Sequence, residues 1–262
     1  MRILLSNDDG AYAPGLRAMY AALRELGEPV IAAPAEEQSG VGHSITLKAP
    51  LLVETLYDDG HHIGWAIEGS PADCVKLGCQ ELIKPPPEIV VSGINAGANV
   101  GINVLYSGTV AAAIEGAFFG LTSFAVSLEY SRRPAFKEAA AIAVRLIGQI
   151  LTLQPPAGSL FNINIPDLEQ VGAPAGVRVV RQSTSRFLER FERRVDPRGR
   201  TYFWPSPELE IPGDPEDTDV AALAAGYVTI TPLRFDLTAY ESFQECQRWQ
   251  ALLEQAVPHA AE

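Results

Sequence analysis

Asp8 and Asp9 are adjacent carboxylates that follow directly on the apolar run Ile3-Leu4-Leu5, within the stretch Ser6-Asn7-Asp8-Asp9-Gly10. Two neighbouring carboxylates at a strand end repel each other unless one holds a proton or a cation neutralises both. Asp, Asp, a Ser hydroxyl and an Asn carbonyl form an all-oxygen donor set, which suits a hard divalent ion such as Mg²⁺ or Mn²⁺ rather than zinc. Asn-Asp-Gly is also a common turn former, so by itself the stretch reads equally as a plain turn or as a metal site. Two other apolar runs end in polar, glycine-punctuated stretches. Val30-Ile31-Ala32-Ala33 leads past Pro34 to Gln38-Ser39-Gly40-Val41-Gly42-His43-Ser44, and Ile89-Val90-Val91 leads to Ser92-Gly93-Ile94-Asn95-Ala96-Gly97-Ala98-Asn99-Val100-Gly101. Ser39 and Asn95 there supply neutral oxygen donors of the type that two carboxylates leave missing.

Tyr106-Ser107-Gly108-Thr109-Val110 opens a helix-period segment. Hydroxyls and free N–H groups at a helix N-terminus make an anion site, although ordinary capping by Ser107 or Thr109 is the commoner use of such residues. Gly69-Ser70-Pro71-Ala72-Asp73 reads as a second helix start, with Asp73 as a favourable first-turn charge. His43 is one of four histidines and sits in a polar stretch. Proton transfer and a structural hydrogen bond are both open to it. Gly93, Gly97 and Gly101 match neither the dinucleotide fingerprint nor a P-loop, and no G-x-S-x-G elbow is present. Nicotinamide and acyl-hydrolase chemistries are therefore not expected.

The elements that must position these residues follow from periodicity. Ile3–Leu5, Val30–Ala33, Ile89–Val91, Ser123–Leu128, Phe161–Ile165 and Tyr227–Ile230 are short, continuous apolar runs, which is the pattern of strands buried on both faces. Between them, Leu16, Met19, Tyr20, Leu23 and Leu26 recur at helical spacing and Gly27 is placed to cap that helix. Val110, Ile114, Ala117, Phe118 and Leu121 are expected on one helix face, and Phe136 to Leu151 marks another helix. Strands alternating with amphipathic helices give an α/β, doubly wound, mostly parallel sheet in one main domain over residues 1–262. In such sheets ligands bind beyond the carboxyl ends of the strands, so the three polar stretches should share one rim. Residues 41–68 read as an inserted hairpin and about 241–255 as a final helix. Residues 180–200 carry seven arginines against Glu189, Glu192 and Asp196, a local balance of +4. Tyr202-Phe203-Trp204 and an acidic, Pro-rich loop follow, so the stretch at about 180–215 reads as a charged hairpin arm.

The 262 residues carry a net charge of −12, from 20 Lys+Arg and 32 Asp+Glu. Phosphate polymers and anionic membranes would be repelled at long range, so no stable nucleic-acid or membrane partner is expected, and a phosphate ligand calls for a cation or a nest of backbone donors. The opening residues lack a signal-peptide pattern. Cys74, Cys79 and Cys246 form no paired motif and read as buried, reduced thiols, which fits a cytoplasmic protein.

Taken together, the sequence closely resembles the SurE family of stationary-phase survival proteins. The matching stretches are Asn7–Gly10, Ser39 running into Gly42-His43-Ser44, Gly69–Lys76, Ser92–Gly101, Tyr106–Val110 and Tyr227–Leu233, in the family's order over most of the chain. Ser70 stands where threonine is frequent and Ala98 where proline is frequent, and neither removes a ligand. The resemblance implies a metal-dependent 5′-nucleotidase that cleaves nucleoside 5′- and 3′-monophosphates and, in some members, short polyphosphate. It implies one Mg²⁺ or Mn²⁺ per subunit at Asp8, Asp9, Ser39 and Asn95. Beside it, the residues themselves give Asn99, Ser107, Gly108 and Thr109 as expected substrate contacts and Asp8, Asp9 and His43 as expected catalytic residues. The resemblance also implies a Rossmann-like three-layer α/β/α core, a projecting hairpin, an exchanged segment at about 234–262, and a homodimer or homotetramer. An aspartyl-phosphate phosphatase, a noncatalytic metal-assisted nucleotide-binding module and a nucleotide-sugar transferase are the competing readings of the same residues.

Overall fold

The structure, a computed structural model, describes residues 1–185, 191–205 and 214–257. The chain runs β1 (Arg2–Ser6), α1 (Pro14–Leu23), β2 (Glu28–Pro34), β3 (Val53–Asp58), β4 (His61–Ile67), α2 (Pro71–Leu77), β5 (Ile89–Ala96), α3 (Gly108–Phe118), β6 (Thr122–Leu128) and α4 (Phe136–Thr152). It continues through β7 (Leu160–Ile165), α5 (Leu168–Val171), β8 (Val177–Val179), β9 (Phe191–Val195), β10 (Thr201–Pro205), α6 (Asp219–Ala224), β11 (Val228–Leu233), α7 (Tyr240–Arg248) and α8 (Gln250–Glu254). A 3₁₀ turn at Gly101–Leu105 precedes α3.

Nine strands form one sheet in the order β3-β4-β2-β1-β5-β6-β7-β11-β8. From β4 to β7 all neighbours are parallel; β3 and β11 join antiparallel. The pleat of β1 explains the three layers. Ile3 and Leu5 face a core shared with Leu16, Met19 and Leu23 of α1 and Ala140, Val144 and Ile147 of α4. Leu4 points the other way, to Cys74 and Val75 of α2 and Ala112 of α3. Both faces are thus dry, as continuous apolar strands require.

Several local expectations are corrected. The α1 helix ends at Leu23 with Arg24 as its cap, and Gly27 is needed instead for close approach, since a Cβ there would lie 2.1 Å from the Met1 carbonyl oxygen. On α3, Phe118 is half exposed and Leu121 falls beyond the helix end, so the expected face stops at Ala117. The hairpin expected within residues 41–68 is present as β3–β4, and β4 pairs in parallel with β2 so that it extends the main sheet. The final helix is split into α7 and α8. Cys74 is buried, but Cys246 is exposed on α7; all three cysteines are free.

The arginine-rich stretch contains a separate two-stranded sheet, β9 with β10, every residue of which is exposed. Arg186, Glu189 and Arg190 lie outside the described residues. Among the described residues, no helix is long and apolar enough to cross a membrane.

Candidate active site

From β1 the chain crosses to β2 on one side, while β5 lies on the other. The order in which strands are added therefore reverses between β1 and β5, and the crevice beyond their carboxyl ends is where an open α/β sheet leaves room for a ligand. A cavity of ≈ 630 Å³ opens there, and Asp8, Asp9, Ser39, Asn95, Asn99 and Ser107 all line it. The three polar stretches do share one rim.

The turn after β1 is built from within. Asn7 is buried and its Nδ2 donates to the Gly10 carbonyl at 2.9 Å, while Gly10 takes a φ of +100° that favours glycine. Asp8, only 5% exposed, accepts a hydrogen bond from the Thr109 hydroxyl at the start of α3. Asp9 Oδ2 accepts the Ala96 N–H at 3.1 Å. Gly108 is fitted to this contact, since a Cβ there would lie 2.7 Å from the Asp8 Cβ.

Burial pushes the Asp8 carboxyl up, against the opposing pull of the Thr109 hydroxyl and the Thr109 and Gly108 N–H groups. The Asp9 carboxyl is pushed up to about 6 by burial first, then by the Asp8 charge and, more weakly, by Glu37. Among the described residues no Lys, Arg or His pairs with either of them. Two crowded, largely buried carboxylates without a cationic side chain among the described residues fit a hard cation, which would favour the charged form of both.

The neutral donors are placed to match. Asn95 is the penultimate residue of β5, just after a register shift against β6, and its Nδ2 donates to the Gly97 carbonyl at 2.7 Å. That leaves the carbonyl oxygen Oδ1 as its donor to a cation. The Ser39 hydroxyl donates to Glu37 Oε1 at 2.6 Å, so its oxygen lone pairs stay free. Among the described residues no group of three or more His, Cys, Asp or Glu side chains could hold a metal ion. The set here has two carboxylates and two neutral oxygens, the composition of a weakly held hard cation that keeps several waters.

The remaining expected residues divide. Ser107 caps α3 by accepting the Val110 N–H, which leaves its own hydroxyl proton to donate into the cleft. The Thr109 hydroxyl is committed to Asp8. Asn99 is buried and clamped: its N–H donates to Asn164 Oδ1 at 2.8 Å and its Nδ2 to Ser127 Oγ at 2.9 Å. Its carbonyl accepts from Asn162 Nδ2 at 2.7 Å. His43 does not line the carboxylate cleft. It meets Glu115 at 2.8 Å, stacks on Phe118 with ring centroids 5.5 Å apart, and lines a separate depression behind Ser107. Asp73 does more than carry charge: with Ser70 it closes a capping box on α2, and its carboxylate also takes the Thr46 N–H.

Sequence reasoning passed over Glu37, which faces both Ser39 and Asp9, and the clamp residues Ser127, Asn162 and Asn164. A signal for the last two was present: Asn162 and Asn164 alternate on one face of the otherwise apolar Phe161–Ile165 strand, where unpaired amides would be costly.

The family model described as "Survival protein SurE" matches residues 3–189. The 5′-nucleotidase SurE of Rhodopirellula baltica is 52% identical over 250 residues, covering 95% of this chain and 98% of that one. The 5′-nucleotidase SurE of Desulforudis audaxviator is 46% identical over 254 residues, covering 95% and 97%. A crystal structure of the SurE protein from Aquifex aeolicus superposes with a TM-score of 0.83 at 36% identity, covering 95% of this chain and all of that one.

Proposed function

The chain belongs to the survival protein SurE family, and we propose that it hydrolyses nucleoside 5′-monophosphates to nucleoside and phosphate. The observation that carries this reading is the pair Asp8 and Asp9, without a cationic partner among the described residues, beside the N-terminus of α3 in a cleft of ≈ 630 Å³. Relatives carrying the name 5′-nucleotidase across nearly their whole length support the substrate class. The exposed rings of Tyr106 and Tyr130 at the cleft mouth give a base flat faces to stack on.

The family implies a divalent cation. In our reading one Mg²⁺ or Mn²⁺ per subunit is held by Asp8, Asp9, Asn95 Oδ1 and Ser39 Oγ. When bound, it offsets the phosphate dianion and lowers the pKa of the attacking water. Asp9, the more accessible carboxylate, orients that water. The Ser107 hydroxyl and the N–H groups of Gly108 and Thr109 donate to non-bridging oxygens as charge shifts in the transition state. Thr109 also fixes Asp8 through its hydroxyl, and Asn99 holds the asparagine loop against the phosphate. His43, held against Glu115 and Phe118, braces the C-terminal half of α3 and takes no proton-transfer step.

The same site would accept 3′-monophosphates and short polyphosphate, whose terminal groups present the same dianion. We assign residues 1–262 to one domain with a homodimer or homotetramer as its working state. Exposed Phe203 and Trp204 on the hairpin and Phe243, Trp249 and Leu252 on the tail support an arm at about 180–215 and an exchanged segment at about 234–262. Free cysteines fit a cytoplasmic setting, and a net charge of −12 argues against stable nucleic-acid binding.

The test is a phosphate-release screen over mononucleotides, sugar phosphates and polyphosphate, with each divalent ion and with chelator. Turnover of nucleoside 5′-monophosphates that chelator abolishes, and that folded Asp8→Asn and Asp9→Asn proteins lack, supports the reading. A rate unchanged by chelator refutes it.

A further inference from the structure

Gly101 lies between the asparagine loop and the 3₁₀ turn that leads to Ser107. Both halves of its peptide bonding are taken by residues that flank the hairpin arm. Its N–H donates to Asp219 Oδ2 at 2.9 Å, and its carbonyl accepts from Gln182 Nε2 at 2.8 Å. Gln182 enters the arm and Asp219, the first residue of α6, leaves it.

Asp219 is fully buried. Its other oxygen, Oδ1, accepts the Ser183 N–H at 2.8 Å and the Val220 N–H at 2.9 Å, and its own N–H donates to the Arg181 carbonyl at 2.9 Å. Ser183 Oγ donates to Asp214 at 2.8 Å, and Arg181 pairs with Asp217 at 2.8 Å. The two ends of the arm are therefore fastened to each other, and one carboxylate spans from that fastening to Gly101. A buried charge can be kept there because three backbone donors solvate it.

From this geometry we propose that Asp219, assisted by Gln182, is a positioning residue that ties the asparagine loop, and with it Asn95 and the start of α3, to the root of the hairpin arm. Asn99 is clamped to β6 and β7 at one point of the loop, and Gly101 is clamped to the arm two residues later. Asn95 lies just before the first anchor and Ser107 soon after the second, so the doubly anchored segment holds these two parts of the rim at a fixed separation. Loss of the second anchor lets the loop and the α3 start move apart. The proposal rests on the reading of Asn95 as a cation donor.

Asp219→Asn is the direct test. The asparagine carbonyl oxygen can still serve Ser183 and Val220, but its NH₂ cannot accept from Gly101. In protein whose circular dichroism and sedimentation match the parent, we expect Mn²⁺ affinity by calorimetry to fall about tenfold, the range typical for residues that orient metal ligands. KM for a nucleoside monophosphate should rise by a similar factor while kcat at saturating Mn²⁺ and substrate stays within about threefold. The Gly101 amide should also exchange faster with deuterium. Gln182→Leu, which removes the partly exposed donor to the Gly101 carbonyl, should move all three in the same direction by less, and carries the test if Asp219→Asn does not fold. Asp217→Asn, which breaks only the exposed pair with Arg181, should leave them unchanged. A folded Asp219→Asn protein, or a Gln182→Leu protein in its place, with parental Mn²⁺ affinity and KM overturns the proposal. Absence of nucleotide turnover in the parent would refute the nucleotidase reading instead, and Mn²⁺ affinity with Gly101 exchange would still decide the coupling.

Discussion

Asp9→Asn should stabilise the cation-free protein while disabling the site, and the size of the effect follows from the carboxyl being pushed up from 3.8 to about 6. A group whose folded value lies above its unfolded value favours the protonated form in the fold. Its charge costs nothing below about pH 4 and its full cost is present above about pH 6. Two pKa units correspond to ~3 kcal/mol. Asp9 is only half-buried, so solvent screening reduces this to ~1–2 kcal/mol. The asparagine keeps a carbonyl oxygen for the Ala96 N–H and carries no charge to repel Asp8. With chelator, urea unfolding at about pH 7.5 should therefore find Asp9→Asn more stable than the parent by ~1–2 kcal/mol, and at about pH 4 the two should converge. Saturating Mn²⁺ should reverse the order, since a ligand at 100 times its Kd adds ~2.7 kcal/mol to the protein that binds it. If Asp9→Asn is no more stable than the parent at neutral pH in chelator, or if Mn²⁺ stabilises both alike, the crowded-carboxylate account is wrong.

Gly108→Ala would drive a methyl group to 2.7 Å from the Asp8 Cβ; kcat/KM should fall by about 10²-fold with the fold retained, checked by steady-state kinetics beside thermal melting. Thr109→Val removes the hydroxyl that lowers Asp8, so the pH midpoint for Mn²⁺ binding should move upward, readable by calorimetry across about pH 5 to 8. His43→Ala leaves buried Glu115, among the described residues, with only a 3.7 Å approach from Lys76; the protein should lose ~1–3 kcal/mol of stability in urea while kcat changes less than about fivefold.

Much of the frame was legible from the chain alone. Ile3–Leu5, Val30–Ala33 and Ile89–Val91 read as strands because burial on both faces demands unbroken apolar runs, and helical spacing over 16–23 and 136–151 has no other explanation in so short a connection. Glycine roles were less legible. Gly27 and Gly108 answer to atoms distant in sequence, the Met1 carbonyl and the Asp8 side chain, so no local pattern distinguishes a cap from a close approach. The same holds for Leu121 and Phe118, whose place on α3 depended on where the helix stopped.

Residue types and strand-end positions by themselves determined that Asp8, Asp9, Ser39 and Asn95 belong to one rim, because a parallel sheet brings the carboxyl ends of its strands to the same edge. Tertiary structure alone decided which neighbours tune them. Thr109 reaches Asp8 across a hundred residues, Glu37 adds charge beside Asp9, His43 turns away to Glu115, and Asp219 holds Gly101 from the far side of the arm. Sequence carries the donors, but hydrogen bonds and charge act over a few ångströms, and only folding says which atoms come that close.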